Sequence, residues 1–339
     1  MSLTQRLDKR EVFQRFQGRI SRNPLGLYGL KAMFRKTFTG IEIGESQVNV
    51  AQIKRERDTW RLLRYNSVPF PENTLKVSYK EKNIIDSDKF IETIKTSFES
   101  INGKISYVGL SLPNKVAKIS ILKFEDLPKV DEDIQRMISW QIKKTLRYPE
   151  DNERVSYHKL EKDQDGNQKL FVTIGNQDVL KQYELLFKKI KIKAKTIRPA
   201  GINHFNFFTA ALPHQGTVTY VGIYSNYFVF FVFEDDLLKF CRGVKKGFLD
   251  KDFFAEVDRT FQHYLNLNPD KEIEKIYIGS AIASYHELRE NFENLTGSPV
   301  SVMDESQMIT SDFDFDKPEE REKLSSFVSA IGAAQSLAQ

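Results

Sequence analysis

The 339-residue chain contains a single cysteine, Cys241. One thiol excludes an intrachain disulfide and fits a reducing, cytoplasmic compartment. Long apolar runs are also missing. The densest, Tyr227 to Phe233, covers seven residues, whereas a membrane-spanning helix needs about 20. Residues 1–20 are polar and basic, without the apolar segment of a signal peptide. The five histidines (His158, His204, His214, His263 and His286) are scattered, and each reads as a structural or surface residue rather than a metal ligand. No phosphate-loop, dinucleotide-binding, zinc-protease or nucleophile-elbow motif occurs. Disulfide scaffolds, multi-span membrane proteins and the enzymes marked by those motifs are thereby excluded.

What is present suits a large folded protein. Hydrophobic residues make up 40% and charged residues 29%, enough apolar material for two cores or one bilobal body. The net charge of +5 is unevenly spread: residues 1–38 hold nine basic and two acidic side chains, leaving 42 basic and 44 acidic for the rest. A basic leader is therefore joined to a nearly neutral body. Within the leader, Phe13, Phe16 and Ile20 recur at helical spacing, flanked by Arg15, Arg19 and Arg22, until Asn23-Pro24 breaks the helix. Phe13, Arg15, Phe16, Arg19 and Arg22 form a candidate contact with an anionic membrane surface. Docking on the protein's own body or on a partner, and a solvated tail, are the competing readings.

Residues 40–53 (GIEIGESQVNVAQI) read as two strands joined by a turn at Gly44-Glu45, followed by a strand near Trp60–Val68. Asp86 starts a helix with Phe90, Ile94 and Phe98 on one face, and Ile105–Leu112 is a strand. The same order returns in Thr217–Tyr224, Tyr227–Phe233, Leu237–Val244, a helix marked by Phe253, Val257, Phe261 and Leu265, and a strand at Lys275–Gly279. Two such units describe an α/β, bilobal, actin-like fold with a cleft between the copies.

The expected boundaries are a leader at 1–38 and lobe I at 39–115, completed by 196–215 and a C-terminal helix at 319–339. An inserted α+β subdomain occupies 116–195, and lobe II 216–318. Within the insert, Glu161, Asp163, Asp165 and Gly166 imitate a calcium loop, but Val172 stands where a bidentate carboxylate is required, so a hairpin turn is expected. The lysines between Lys188 and Lys195 lack interleaved aromatics and read as a solvated helix end rather than a nucleic-acid surface.

Residues 40–53, 111–128 (SLPNKVAKISILKFEDLP) and 138–149 (ISWQIKKTLRYP) together resemble the type IV pilus assembly protein PilM family. That family belongs to the actin-like ATPase superfamily, alongside FtsA and the cytoplasmic region of GspL. Trp140 and Tyr148 fall in register with the family's insert helix, and residues 256–283 resemble its late helix and adenosine-side strand. The resemblance covers about residues 39–335. It implies nucleotide-site positions at Gly40, Glu42, Gly44, Ser46, Gly222, Gly279 and Ser280. Gly40 and Gly44 can equally serve as turn glycines, and Trp140 and Tyr148 as core packing.

The departures fall on the nucleotide motifs. In the first phosphate loop Glu45 replaces the family's hydroxyl and Asn49 its lysine. A carboxylate about 4 Å from a phosphate charge costs on the order of 4 kcal/mol at an effective dielectric of 20, roughly a thousandfold in affinity. The second loop reads Gly222-Ile223-Tyr224, without the aspartate that would hold hydrated magnesium. These changes lead to the expectation of no catalytic residues, no metal and no resident cofactor, with ATP turnover lost and binding of ATP and Mg left open.

The resemblance then implies a non-enzymatic cytoplasmic scaffold on the inner-membrane face of a type IV pilus-like or secretion machine. Its partner would be the short cytoplasmic tail of a PilN-like membrane protein, with a pilus motor ATPase as a further partner. The tail would lie in a groove between insert and main lobe, near Ile119, Ile121, Phe124, Trp140 and Tyr148. The alternative is an active PilM-type ATPase binding Mg-ATP between the lobes. FtsA-like and GspL-like architectures are not expected, because Ser329–Gln339 carries no charge and no spanning segment is present.

Overall fold

A computed structural model describes residues 37–57, 59–101, 103–146, 152–281, 285–315 and 317–338. The leader positions Phe13, Arg15, Phe16, Arg19 and Arg22, and Tyr148 of the insert, lie outside the described residues.

Lobe I begins with an antiparallel meander, β1 (Phe38–Ile43), β2 (Gln47–Glu56) and β3 (Thr59–Pro69). Helix α1 (Ser87–Ser97) is started by the Asp86 carboxylate, which accepts from the backbone of Asp88 and Lys89. It returns the chain to β4 (Tyr107–Leu112), parallel to β1. β1 is buried on both faces, as befits the middle of a sheet.

The inserted subdomain comprises β5 (Ala117–Phe124), α2 (Asp131–Leu146), β6 (Glu153–Lys162) and β7 (Gln168–Asn176), with strand order β5-β7-β6. Ile134, Ile138 and Ile142 of α2 cover Leu122, Phe124, Leu170 and Val172. Asp163 closes the β6–β7 turn by accepting from the backbone of Asp165 and Asn167, so the calcium-like run is a hairpin.

The insert is shorter than the expected 116–195. Helix α3 (Gln177–Lys189) and β8 (Lys193–Pro199) belong to lobe I. Val179, Tyr183 and Phe187 share a core with Phe90 and Ile94, and β8 pairs parallel with β4. The apolar stripe of α3 was legible; which core receives it depends on long-range pairing of β8.

Helix α4 (Ala200–Phe208) then leads into lobe II, with β9 (Thr217–Ile223), β10 (Phe228–Glu234) and β11 (Leu237–Val244). Next come α5 (Phe253–Leu267), β12 (Lys275–Ser280), α6 (Tyr285–Thr296) and β13 (Val300–Val302), in sheet order β11-β10-β9-β12-β13. Strand β14 (Thr310–Ser311) leaves this lobe and pairs with β3 of lobe I, so the expected boundary at 318 comes too late. The last helix, α7 (Pro318–Gln335), crosses the lobe I sheet.

The crossing is close. A Cβ on Gly40 would fall 1.9 Å from the Ala330 carbonyl oxygen, and one on Gly109 2.0 Å from that of Ala333. Phe205, Phe208, Phe231 and Phe233 join α4 to lobe II in one aromatic cluster that also takes in Ile331 and Ala334 of α7. Fully burying each phenylalanine contributes about 2–3 kcal/mol. The two lobes thus repeat one topology and meet around α4 and α7. Among the described residues no helix is long and apolar enough to cross a membrane.

Candidate functional site

Strand register puts a polar row on the lobe I face that α7 crosses. Ser67, Asn49, Glu42, Ser111 and Arg198 are successive partners across β3, β2, β1, β4 and β8. Ser67 Oγ donates to Asn49 Oδ1 at 2.8 Å, and Asn49 Nδ2 donates to Glu42 Oε2 at 3.4 Å and to the Ser326 carbonyl at 3.0 Å. Burial raises the Glu42 carboxyl to a pKa of about 7, against the lowering effect of Asn49 and Ser329. Asn49 therefore holds the carboxyl by hydrogen bonding rather than by charge.

At the first turn, Gly44 N donates to the Gln47 carbonyl at 2.8 Å, and a Cβ on Gly44 would meet that oxygen at 2.7 Å. Ser46 is exposed, and its carbonyl accepts from Phe70 N. Glu45 is not left facing the cleft alone: Lys115, in the short 3-10 turn after β4, reaches it at 3.0 Å. Gly40 lies away from this turn, beneath α7, so its role is close packing.

The second turn is covered by the chain itself. Phe248 N donates to the Tyr224 carbonyl at 3.1 Å and Leu249 N to that of Ser225 at 3.2 Å. Gly247 approaches so closely that a Cβ there would be 2.2 Å from Asn226 N. The Tyr224 ring lies 5.3 Å from the His204 ring. Burial and the neighbouring Glu42 raise the pKa of its phenol.

Gly222 and Gly279 are register partners, as are Ile223 and Ser280. The space above them is occupied: a Cβ on Gly279 would lie 2.6 Å from Tyr220 Oη and 2.8 Å from His204 Cε1. Tyr220 Oη in turn sits 2.6 Å from His204 Nδ1. Burial pulls the His204 pKa down to about 3, leaving a neutral ring.

The structure therefore brings Gly222, Gly279 and Ser280 together, sets Glu42, Gly44 and Ser46 around the lobe I turn, and separates Gly40 from both. Sequence reasoning missed Lys115, His204, Tyr220, Ser111 and Arg198. Strand alternation placed Tyr220 on the face of Gly222, the one signal available.

The four described residues of the expected partner-binding set, Ile119, Ile121, Phe124 and Trp140, do not form one surface. Ile119 and Ile121 pack against the core that includes Leu160, Phe171 and lobe II. Phe124, on the opposite face of β5, is buried beneath α2. Trp140 projects from the outer side of α2, 61% exposed, with Lys144 Nζ 5.3 Å from its ring centre. Glu132, Gln135, Arg136, Ser139 and Lys143 complete a shallow groove around it. β5 instead lies beside β11, and Lys239 of β11 pairs with Glu161 of β6. The half-buried Cys241 has its thiol pKa raised by burial. Among the described residues no group of three or more His, Cys, Asp or Glu is placed to hold a metal ion.

Two lobes of repeated topology joined by two crossing helices make this the bilobal actin-like fold. A chain of the PilM-PilN type IV pilus biogenesis complex has the same fold: it matches with a TM-score of 0.68 at 13% identity, over 89% of this chain and 98% of that one. A protein of actin-like ATPase fold and unknown function from Bacteroides thetaiotaomicron matches at a TM-score of 0.49 and 10% identity, covering 88% of this chain and 99% of its own. The ethanolamine utilization protein EutJ from Carboxydothermus hydrogenoformans matches at 0.41 and 9% identity, covering 92% and 91%. No family model and no curated protein matches the sequence.

Proposed function

We propose that this chain is a non-enzymatic scaffold that works with a PilN-like membrane protein in a type IV pilus-like or related secretion machine. It would be peripheral to the inner membrane, holding the partner's short cytoplasmic tail and contacting a pilus motor ATPase. The fold shared with the PilM-PilN complex supports the class of partner. The observation that carries the tail-binding reading is Trp140, a large aromatic side chain 61% exposed in a groove on the insert. Exposed aromatic anchors of this kind dominate protein–protein binding energies. The covered second turn and the His204–Tyr220 contact support a cleft without ATP turnover.

The test is titration of a PilN-like tail peptide into the full chain and into Trp140→Ala. Saturable binding that weakens at least tenfold in the variant, with unchanged melting temperature, supports the reading. Equal affinity in both removes α2 from it.

The competing ATPase reading keeps one specific observation in its favour: Glu42 of lobe I lies near enough to Tyr224, just after the lobe II strand that carries Gly222, to raise the pKa of its phenol. Calorimetry with Mg-ATP separates the two readings.

A further inference from the structure

Arg198, the penultimate residue of β8, is 2% exposed, and none of its three guanidinium nitrogens has a hydrogen-bond partner. Burial alone sets its pKa, which is lowered only to about 10, so the group stays charged at neutral pH. A buried cation without a counter-charge is among the most unfavourable arrangements a fold can hold.

Its surroundings are polar and equally unpaired. Ser111, its register partner on β4, has a buried hydroxyl with no partner. Asn203, one turn into the helix that Arg198 leads into, is fully buried with both amide atoms unpartnered. Helix α4 starts on Pro199 without a side-chain cap, although Asn114 Oδ1 accepts from Gly201 N at 2.6 Å. A guanidinium, a hydroxyl and an amide at the N-terminal end of a nine-residue helix together form a donor-rich setting.

We propose that the junction of β4, β8 and the first turn of α4 is a binding site for a small oxyanion, a phosphate or carboxylate group held by Arg198 with Ser111 and Asn203. The junction adjoins both turns, since Glu42 is the register partner of Ser111 and Asn114, which accepts from Gly201 N, also lies against the Tyr224 phenol; the proposal does not depend on the scaffold reading. Glu42, next along the row from Ser111, has a carboxyl near neutrality in its titration and therefore only part of a repelling charge at pH 7.

The test is thermal unfolding of the full chain across a series of inorganic phosphate concentrations, with chloride holding ionic strength constant. Arg198→Met, Arg198→Lys and Ser111→Ala are run beside it, with acetate and Mg-ATP as separate arms. Arg198→Met is expected to fold, because replacing an unpartnered buried charge by an apolar isostere is neutral or stabilising.

In the unsubstituted chain, melting temperature should rise by about 2 °C for each tenfold increase of phosphate above its dissociation constant. Arg198→Met should lose that response, and Arg198→Lys and Ser111→Ala should weaken it. The same pattern with acetate assigns the site to carboxylates. An equal response in the unsubstituted chain and Arg198→Met would mean general stabilisation by an excluded salt, and would overturn the proposal. So would a chain indifferent to both anions, or one that responds to Mg-ATP alone.

Discussion

His204 Nδ1 lies 2.6 Å from Tyr220 Oη, and this pair fills the space over Gly279, the register partner of Gly222. The imidazole is fully buried, and burial lowers its pKa to about 3. The unfolded chain, with a histidine pKa near 6.5, binds a proton that the folded chain does not. His204 therefore supports the fold fully above about pH 6.5, and that support is lost as pH falls towards 3. Stability should drop by up to about 1.4 kcal/mol per pH unit through this window on His204's account. His204→Phe should flatten the profile between pH 6 and 4, as read from urea unfolding midpoints; an unchanged slope would show that His204 is not held neutral.

Glu42 acts in the opposite sense. Its carboxyl is raised to about 7 by burial, above the value of 4.5 for an ordinary glutamate. The folded chain then holds the proton more tightly, so its contribution is present below pH 4.5 and is lost as pH rises through 7. Glu42→Gln keeps an acceptor for Asn49 and removes the ionisation. It should stabilise the protein by roughly 3 kcal/mol at pH 8 and by less than about 1 kcal/mol at pH 5. Melting curves at the two pH values decide this, and a gain of equal size at both would locate the effect elsewhere.

Much of the fold was legible from local pattern. Alternation in 40–53 and the apolar runs within 217–244 mark the two meanders, and Asp86 marks the start of α1 by its capping chemistry. Non-local pairing was not legible: α3 and β8 look like a continuation of the insert until β8 finds β4, and β14 is too short to show any period. Glu42, Gly44, Gly222 and Gly279 could be named from the sequence because they follow a motif. Lys115, His204 and Arg198 reach the candidate site through register and chain crossing, for which single-sequence spacing holds no signal. Ile119 and Phe124 were grouped as neighbours in sequence, yet they point to opposite faces of β5 because the side-chain period of a strand is two.

Close packing of α7 on the sheet gives a sharper test of the glycines. Gly40→Ala would drive a methyl group to 1.9 Å from the Ala330 carbonyl oxygen, with a backbone neighbour at Ala334 N only 2.5 Å away. Neither can move without shifting the helix, so the substitution should cost at least about 3 kcal/mol. Gly103→Ala meets nothing within 4 Å and carries only the strain of a positive φ of 87°. Its cost should be nearer about 1 kcal/mol. Similar denaturation midpoints for the two variants would mean that α7 does not sit against Gly40.

The interlobe turns predict how the chain responds to Mg-ATP. Glu45 would repel a phosphate, but Lys115 at 3.0 Å offsets much of that charge, so repulsion at the first turn is weaker than the carboxylate alone suggests. The second turn is the stronger obstacle: Phe248 N and Leu249 N donate to the carbonyls of Tyr224 and Ser225, and Tyr220 and His204 fill the space above Gly279. Opening it would break at least two backbone hydrogen bonds, each worth about 1 kcal/mol net, before any phosphate contact forms. Calorimetry on the full chain should therefore show no sub-millimolar binding of Mg-ATP, and no phosphate should be released. Glu45→Thr, which restores a hydroxyl at the first turn, should not recover binding by itself, because the second turn stays covered. Tight binding by the unsubstituted chain would overturn the scaffold reading, and tight binding by Glu45→Thr alone would show that the first turn, rather than the second, closes the cleft.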